Sequence, residues 1–445
     1  MDAVLLARIQ FGFTAGFHFL FPPTTFGLTF IILLVESLYL KTKDDLYRRI
    51  SSFLIKLLGI VFVLGVATGI VLEFAFGNNW SEYSRTVGDI FGAPLAAEGI
   101  FSFFLESVFL GILIFGRKKV SQKMYWFSAF LVFFASHLSG LWIIIANSWM
   151  QTPAGFRMEG TKAVLTNFFQ AALNPSTMVR YLHVVLAGWI TGSLFAAAIS
   201  AWYILKKRHL IPARIILRLS LIVFIAASLL QLGSGHAHSV KVAETQPEKM
   251  AAFEALWETQ KGAPMALFGF PDKQNQKTHL LVEVPKLLSL LIHFDPEAEV
   301  TGLDVFPADE QPPVFLPFVS YHLMILFGMV FIGLSLVGIY LLVRKKTHQT
   351  KWFLRSLLLA LPLPYLANEW GWIAAEVGRQ PWAVYRILRT ADAVSPVVPS
   401  GNILLTLILF ILVYALIGAV GLMVILKLIR KGLQELEKNQ EGGRP

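Results

Sequence analysis

The chain of 445 residues contains no cysteine. Disulfide bonds, iron–sulfur clusters and thiolate ligation of a haem are therefore excluded, because each of them requires a cysteine sulfur. Any metal centre in this protein has to be built from histidine, methionine or carboxylate side chains, which favour different metals and oxidation states from thiolates.

Charged residues are also scarce, at 15% of the chain against 56% hydrophobic residues, and the mean hydropathy is +0.63. No ordinary soluble domain combines these values, so the composition indicates an integral membrane protein. The net charge of +10 does not indicate nucleic-acid binding, because the basic residues lie in short clusters between apolar stretches. The N-terminus lacks the pattern of a cleavable signal peptide, and we expect the first span to act as the targeting signal.

Nine apolar stretches are each close to the ~20 residues that cross a bilayer. They are residues 14–38, 53–76, 95–116, 124–146, 181–204, 212–233, 316–343, 353–378 and 402–428. We therefore predict an all-α polytopic membrane protein with nine transmembrane helices and no internal duplication of the spans. Residues 1–233 hold spans one to six, 234–315 form one long polar loop, and 316–445 hold spans seven to nine and a tail.

Basic clusters occur in every second connection between the predicted spans. They lie at residues 41–49, 117–123, 206–208, 344–351 and 427–431. The positive-inside rule places them in the cytoplasm, so the N-terminus and the polar loop 234–315 are outside and the C-terminus is inside. Arg379, Arg386 and Arg389 depart from this pattern. Either they are a tolerated exception, or they neutralise acidic groups of a bound molecule.

Four potential metal ligands lie at one predicted depth on four different spans. They are His18, His183, Met324 and Glu376, and a rise of 1.5 Å per residue places each within about 15 Å of the outer interface. A bound haem explains the set economically, because imidazole and thioether suit low-spin iron and a single imidazole or carboxylate leaves an open position for oxygen. His322, two residues before Met324, is expected to be structural, and His137 to be a buried, hydrogen-bonded histidine.

Other acidic residues fall within spans. Glu369, Trp372 and Glu376 share one helical face, so this face is a functional-site hypothesis; the alternative is that Glu376 simply pairs with Arg379 at the water interface. In span three, Glu98 and Glu106 are offset by about 80° and about 12 Å on an α-helix. They are candidates for a proton relay, the alternative being two anchors between helices.

In the polar loop, residues 248–258 have the pattern of a short amphipathic helix with Phe and Trp, suited to the membrane interface. Such a helix could bind the head group of a quinol through Lys249 and Glu254. The alternative is an ordinary surface helix.

The chain resembles subunit I of the cytochrome bd family of quinol oxidases, and the resemblance covers nearly its whole length. The stretches that carry it are residues 10–21, 65–69, 87–95, 146–151 and 378–382. The resemblance implies nine spans, three haems near the outer face and a quinol site in a polar loop of the short class. His322 is a departure, because some members have an arginine two residues before the methionine; this bears on one charge contact near the haems.

The resemblance also implies roles for individual residues. His183 and Met324 match the axial pair of a low-spin haem b, and His18 and Glu376 match the axial ligands of two high-spin haems. His18 is assigned to the oxygen-reducing haem, a haem d or a further haem b, and Glu376 to a high-spin haem b. Further matches are Glu98, Glu106 and Trp372 beside the high-spin pair, Arg379 as a cofactor-binding residue, and Lys249 and Glu254 as quinol-binding residues.

The implied function is a terminal oxidase of the bacterial cytoplasmic membrane. Menaquinol or ubiquinol is oxidised outside, and O2 is reduced to water with cytoplasmic protons, which separates charge without a pump. The implied partners are a second membrane subunit and, in some assemblies, a small single-span subunit. Two alternatives stay open: a haem-less transporter or channel using intramembrane carboxylates, and a haem b quinol dehydrogenase that does not react with O2.

Overall fold

The computed structural model describes residues 2–432, which are mostly helical. The helices of the first half are α1 Ala3–Phe19, α2 Pro22–Thr42, α3 Asp45–Gly77, α4 Ser81–Ala97, a π-helix Glu98–Phe103, α5 Phe104–Phe115, α6 Gln122–Gln151, α7 Phe168–Ala172 and α8 Thr177–Leu205. Those of the second half are α9 Leu210–Thr245, α10 Pro247–Glu254, α11 Leu287–His293, a 3-10 helix Leu303–Val305, α12 Phe315–Val343, α13 Lys351–Leu359, α14 Leu363–Val377, α15 Thr390–Ala393 and α16 Ser400–Lys431.

Short strands occur only in the connections of this described part. They are β1 Phe156–Glu159, β2 Lys162–Leu165, β3 Gln260–Lys261, β4 Met265–Asp272, β5 Lys277–Val284, β6 Glu299–Val300, β7 Trp382–Val384 and β8 Leu388–Arg389. They form four antiparallel two-stranded sheets, β1 with β2, β3 with β6, β4 with β5 and β7 with β8. The prediction of a helical membrane protein is confirmed, with these small sheets added outside the spans.

Within residues 2–432, eight helical stretches are long and apolar enough to cross a membrane. They correspond to eight of the nine predicted spans. The stretch predicted at 353–378 is instead divided into α13 and α14, each shorter than a full span. The division falls at Pro362, because a proline has no N–H to donate and its ring clashes with the preceding turn.

The sixth span differs from its predicted end at residue 233, because α9 continues to Thr245. Ser234 and His238 belong to this extension, and their polar side chains lower the local hydropathy. Ser234 and Val242 are nevertheless buried, so packing against neighbouring helices stabilises a helix that the apolar pattern alone does not reveal. The connection from this helix to α12 therefore begins at Gln246.

The helix α8 lies at the centre of the bundle, and 78% of its most apolar window is buried. It crosses α2 at two glycines: a Cβ atom added to Gly27 would lie 2.6 Å from Cα of Gly192. Small residues allow such close backbone approach between membrane helices. By contrast, only 17% of the apolar window of α16 is buried, so most of that helix faces outward.

A buried ion pair joins the helices at the predicted cytoplasmic end. Glu36 on α2 is fully buried and accepts hydrogen bonds from Arg117 Nη2, at 2.5 Å, and from Ser51 on α3. The guanidinium carbon of Arg117 lies 3.7 Å from the ring centroid of Tyr125. The sequence pattern did not reveal this pair, because its partners lie 81 residues apart.

Candidate functional site

The His18 ring lies in the last turn of α1, against α3. Its Nδ1 is 3.0 Å from Oγ1 of Thr68, which in turn donates to the Leu64 carbonyl on its own helix. A Cβ atom on Gly69 would lie 3.0 Å from Cε1 of His18, so this glycine leaves the space that the ring occupies. The orientation of the ring is thus set by two residues of α3.

Helix α1 also contacts α14, at an acidic and an aromatic residue of α14. A Cβ atom on Gly16 would lie 2.8 Å from Oε2 of Glu369, and the rings of Phe19 and Trp372 meet edge to face at 5.2 Å. Oε1 of Glu369 is buried and has no hydrogen-bond partner among the described residues. Of the predicted stripe, Glu369 and Trp372 therefore face α1.

Glu376, the third member of that stripe, faces other partners. Its Oε1 accepts hydrogen bonds from Asn147 at 3.0 Å and from Gln151 at 3.1 Å, both on α6. Its Oε2 accepts from Nη2 of Arg379 at 2.6 Å. The Glu376–Arg379 pair considered as the alternative in the sequence analysis thus exists. Arg379 is only 5% exposed, whereas the Glu376 side chain is 33% exposed, so the arginine is the buried member of the pair.

Lys249 also points into this region and not toward solvent, being 1% exposed. Its Nζ donates to Oε1 of Gln151 at 2.5 Å and of Gln246 at 2.6 Å. Burial and, after it, the positive charges of Arg180 and Arg379 hold the pKa of Lys249 well below its usual range. Burying like charges together is costly without a compensating anion.

These residues form what we call the outer polar cluster. Its members are Asn147, Gln151, Arg180, Gln246, Lys249, Glu376 and Arg379. Three of them are basic and one is acidic. Several buried donors of the cluster have no partner among the described residues: Arg180 Nε, Gln246 Nε2 and Arg379 Nη1. The cluster therefore has the charge and the spare donors to hold carboxylates of a bound molecule.

His183 lies on α8 and faces α9. Its Nδ1 is 3.3 Å from Oγ of Ser234, and Nε2 of Gln231 lies 3.2 Å from both ring nitrogens. A Cβ atom on Gly235 would lie 3.6 Å from the ring. The His238 ring meets it edge to face at 5.4 Å, and Nε2 of His238 is buried without a partner among the described residues. The sequence pattern alone did not distinguish His238 from other histidines.

Met324 and His322 point in different directions from α12, as their separation of two residues predicts. A Cβ atom on Gly371 of α14 would lie 3.0 Å from Sδ of Met324. A glycine at this position therefore leaves room for the thioether, whereas a larger residue would crowd it. The ring nitrogens of His322 lie 2.8 Å from the Phe318 carbonyl and 2.8 Å from the Ala266 carbonyl on β4. His322 thus joins the outer loop to α12.

Replacing His322 with asparagine is expected to loosen β4, because asparagine places an amide near Nδ1 but does not reach the Ala266 carbonyl. Glutamine places its amide near Nε2 and is expected to keep that bond. A lost hydrogen bond is worth about 1 kcal/mol, so amide hydrogen exchange over residues 265–272 should be about fivefold faster in His322→Asn than in His322→Gln. The variant His348→Asn, on the far side of the bundle, is the control. Equal exchange in the Asn and Gln variants would contradict the assignment.

Glu98 and Glu106 lie on either side of an irregular turn. Glu98 starts the π-helix, and its Oε1 accepts from Oγ of Ser139 on α6 at 2.8 Å. Glu106 on α5 is 7% exposed. The offset of 80° assumed a regular α-helix and does not apply here, because a π-helix bonds residue i to i+5. Both acids therefore lie in one helical span, but the angle between their side chains differs from the 80° expected for a regular α-helix.

The helix α10, which carries Lys249 and Glu254, was predicted to be amphipathic and to lie at the interface. In the structure every residue from Glu248 to Glu254 is buried, so the prediction of an exposed polar face is wrong, while the position at the interface stays a prediction. The loop folds over the helix: the Phe253 ring stacks on Tyr321 of α12 at 4.6 Å. A helix with several polar residues can be buried when polar groups find partners inside the protein, as Lys249 does in Gln151 and Gln246.

Glu254 and Lys249 face different neighbours across α10. Oε2 of Glu254 accepts from the Ala266 amide at 3.0 Å, while Oε1 is buried without a partner among the described residues. Burial raises the pKa of Glu254 to about 8, against the lowering effect of that hydrogen bond. Glu254 is thus a protonatable group beside β4, and Lys249 belongs to the outer polar cluster.

The remaining candidates have structural partners. His137 lies 2.7 Å from the Phe133 carbonyl through Nδ1 and accepts from Trp189 Nε1 at 2.8 Å through Nε2, which confirms a buried, hydrogen-bonded histidine. Arg389 pairs with Asp309 at 2.7 Å. Of the three exceptional arginines, Arg379 is the one that joins the outer polar cluster.

The fold and this site together define a multi-pass helical membrane protein with a buried, cation-rich polar cluster at one end of its bundle. A family model described as cytochrome bd terminal oxidase subunit I matches residues 6–433. The chain therefore belongs to the cytochrome bd terminal oxidase subunit I family, and it is a multi-pass protein of the bacterial cytoplasmic membrane.

Individual relatives agree over nearly the full length. Cytochrome bd ubiquinol oxidase subunit 1 of Bacillus subtilis is 40% identical, over 98% of this chain and 95% of the relative. Cytochrome bd-II ubiquinol oxidase subunit 1 of Escherichia coli is 33% identical, over 99% of this chain and 98% of the relative. The structure of bd oxidase from Geobacillus thermodenitrificans superposes with a TM-score of 0.91 at 29% identity, covering 97% of this chain and 99% of that one.

Proposed function

We propose that this chain is the haem-bearing catalytic subunit of a terminal quinol oxidase that reduces O2 to water. The outer polar cluster is the observation that carries the proposal. It holds three buried basic side chains against one acidic side chain and leaves donors unpaired. Haem is a dianion through its two carboxylates, and such a cluster fits them without any further residue.

Four residues are proposed to hold haem iron. His183 and Met324 would ligate a low-spin haem b, and His18 and Glu376 two high-spin haems, of which one is a haem d or a further haem b. When bound, these haems would supply one-electron transfer and an open iron position for oxygen. Gly69 and Gly371 support this assignment, because each leaves room for a ligand side chain.

The chain's own residues prepare the ligands. Thr68 and Gly69 orient the His18 ring, and a hydrogen bond to the second ring nitrogen is the usual means of orienting a ligating histidine. Asn147, Gln151 and Arg379 hold Glu376 through both of its oxygens. The Nη1 atom of Arg379 has no partner among the described residues and would donate to a carboxylate of the bound group. Trp372 of α14 packs against Phe19 of α1, the residue after His18.

Glu254 is proposed as the group that takes a proton from quinol at the outer face. Its free Oε1 and its raised pKa suit a general base that works near neutral pH. Lys249 is proposed as the second quinol-binding residue, and its ammonium donates to Gln151 and Gln246 in the outer polar cluster.

The Glu254 carboxyl accepts a proton only when it is ionised, and burial raises its pKa to about 8. The kcat/KM for quinol should therefore rise with pH and level off above about 8. Glu254→Gln should remove this dependence and lower kcat/KM by about 10²-fold, the usual contribution of a general base. Steady-state quinol oxidation between pH 6 and 9 measures both effects.

The exposed Glu283 on β5 offers a control, because Glu283→Gln changes the loop charge equally and should keep the wild-type profile. A Glu254→Gln variant with the wild-type pH profile would remove Glu254 from quinol oxidation.

Protons for oxygen reduction are proposed to come from the cytoplasm through Glu106 and Glu98. Glu106 is buried in its span, and Glu98 accepts a hydrogen bond from Ser139 of α6, so both carboxyl groups are placed inside the protein where a proton path would need them. Taking protons from one side and releasing them on the other would separate charge without pumping. A second membrane subunit is proposed to complete this path and the assembly.

The experiment that tests the function is a dithionite-reduced minus oxidised visible spectrum of the purified complex, repeated with carbon monoxide. A band of a chlorin that shifts with carbon monoxide would support a haem d oxidase, and b-type bands that shift would support the haem b form. Haem bands that do not shift with carbon monoxide would favour the quinol dehydrogenase. A spectrum without haem bands would favour the transporter or channel.

A further inference from the structure

The hairpin β4–β5 of the outer loop exposes apolar side chains on both of its faces. They are Leu267, Phe268, Phe270, Leu280 and Val282, which are between 45% and 73% exposed. Polar residues are concentrated at 272–279, in the turn and the start of β5, and Glu283 near the end of β5 is also exposed. A hairpin in water normally turns one face inward and keeps the other polar, so this pattern indicates a non-aqueous surrounding.

Three contacts attach the hairpin to the beginning of α12 and to the loop. His322 contacts the Ala266 carbonyl at 2.8 Å, and Trp257 Nε1 donates to Thr278 Oγ1 at 3.0 Å. At the turn, Lys273 Nζ donates to the Pro312 carbonyl at 3.0 Å. The hairpin therefore runs alongside the chain from Pro312 to His322.

The length of α12 determines the depth of this region. The helix has 29 residues, or about 44 Å, whereas the hydrocarbon core of a bilayer takes about 20 residues. Counted back from the basic residues that follow Val343, the core ends near Met324. The first turns of α12, from Phe315 to His322, then lie in the outer interface, and Phe315 and Leu316 are themselves exposed.

We propose that the hairpin 265–284 is an interfacial element whose apolar side chains insert into the outer leaflet. Its exposed Phe and Leu side chains continue the lipid-facing surface of α12, and its polar turn bends back toward Pro312, away from the bilayer. The interfacial depth of the bilayer suits both the exposed Leu, Phe and Val side chains and the polar His279 and Glu283 of β5. The inference depends on membrane localisation and not on the assignment of the quinol site.

The absence of cysteine from this chain makes a direct test possible. Phe268→Cys and Leu280→Cys, in the complete complex reconstituted into lipid nanodiscs without reductant, each accept a nitroxide spin label. Power saturation then compares collisions with lipid-soluble O2 and with the water-soluble nickel complex of ethylenediaminediacetate. We expect a ratio of O2 to nickel accessibility several times higher than at Gln274→Cys in the polar turn, and approaching that at Leu336→Cys on α12.

Nickel accessibility like that at Gln274→Cys would place the hairpin in water and overturn the inference. A label shielded from both reagents would show that a protein partner covers the hairpin, which overturns it as well. The label signal of the unsubstituted complex is subtracted, so that cysteines of a partner subunit do not contribute. If Leu280→Cys fails to assemble on gel filtration, Val282→Cys replaces it on β5, and Phe270→Cys likewise replaces Phe268→Cys on β4.

Discussion

Met324→Leu is expected to abolish the low-spin haem signal, leaving the other haem bands in place. Leucine fills a similar volume beside Gly371 but has no thioether sulfur to bind iron, and the axial ligand sets both spin state and reduction potential. The measurement is the reduced visible spectrum together with a redox titration of the purified complex. Loss of the low-spin bands would identify Met324 as the ligand.

Two companion variants make this test specific. Met329→Leu on the same helix changes an exposed methionine and should leave the spectrum unchanged. Gly371→Ala adds a Cβ atom 3.0 Å from the Met324 sulfur, and we expect a weakened or shifted low-spin signal from it. An unaltered low-spin spectrum in Met324→Leu would rule out this ligation.

Glu106→Gln is expected to slow oxygen reduction by about a hundredfold, which is the lower end of the range for losing a positioned proton-transfer group. Glutamine keeps the shape and hydrogen-bonding capacity of Glu106 but cannot carry a proton through the buried site. Reduction of the low-spin haem by quinol should remain fast, because that step does not use cytoplasmic protons. Stopped-flow spectroscopy separates the two steps, and an oxygen electrode gives turnover.

Glu159→Gln, which removes an exposed carboxylate of β1, is the control and should turn over normally. Haem content is measured in each variant, since a lost haem would also lower turnover. Normal turnover of Glu106→Gln at normal haem content would remove Glu106 from the proton path.

Local patterns predicted most of the helices. Eight of the nine apolar spans are helices of membrane-crossing length, because hydropathy over about 20 residues is a property of the local sequence. The exceptions occur where a proline interrupts the apolar stretch or where packing against distant residues outweighs the local hydropathy. Pro362 divides the eighth stretch, and the buried polar residues of α9 extend the sixth to Thr245. The π-helix at Glu98 gave no signal in the apolar pattern.

The candidate site was predicted only in part. Residue type and predicted depth selected His18, His183, Met324 and Glu376, which stay predictions as iron ligands. They did not select Thr68, Gly371 or His238, which the structure places beside those residues. Such neighbours are ordinary residues in sequence, and the contacts alone distinguish them.

The amino-acid sequence by itself determined that this protein lies in a membrane, where its helices run and which residue types are available to hold a metal. Only the tertiary structure decided how the buried charges are paired. Asn147 and Glu376 lie 229 residues apart and Lys249 and Gln151 lie 98 apart, yet they meet in one cluster. Lys249 points inward because this cluster offers its ammonium two amide oxygens, and a pattern of neighbouring residues contains no information about partners so distant.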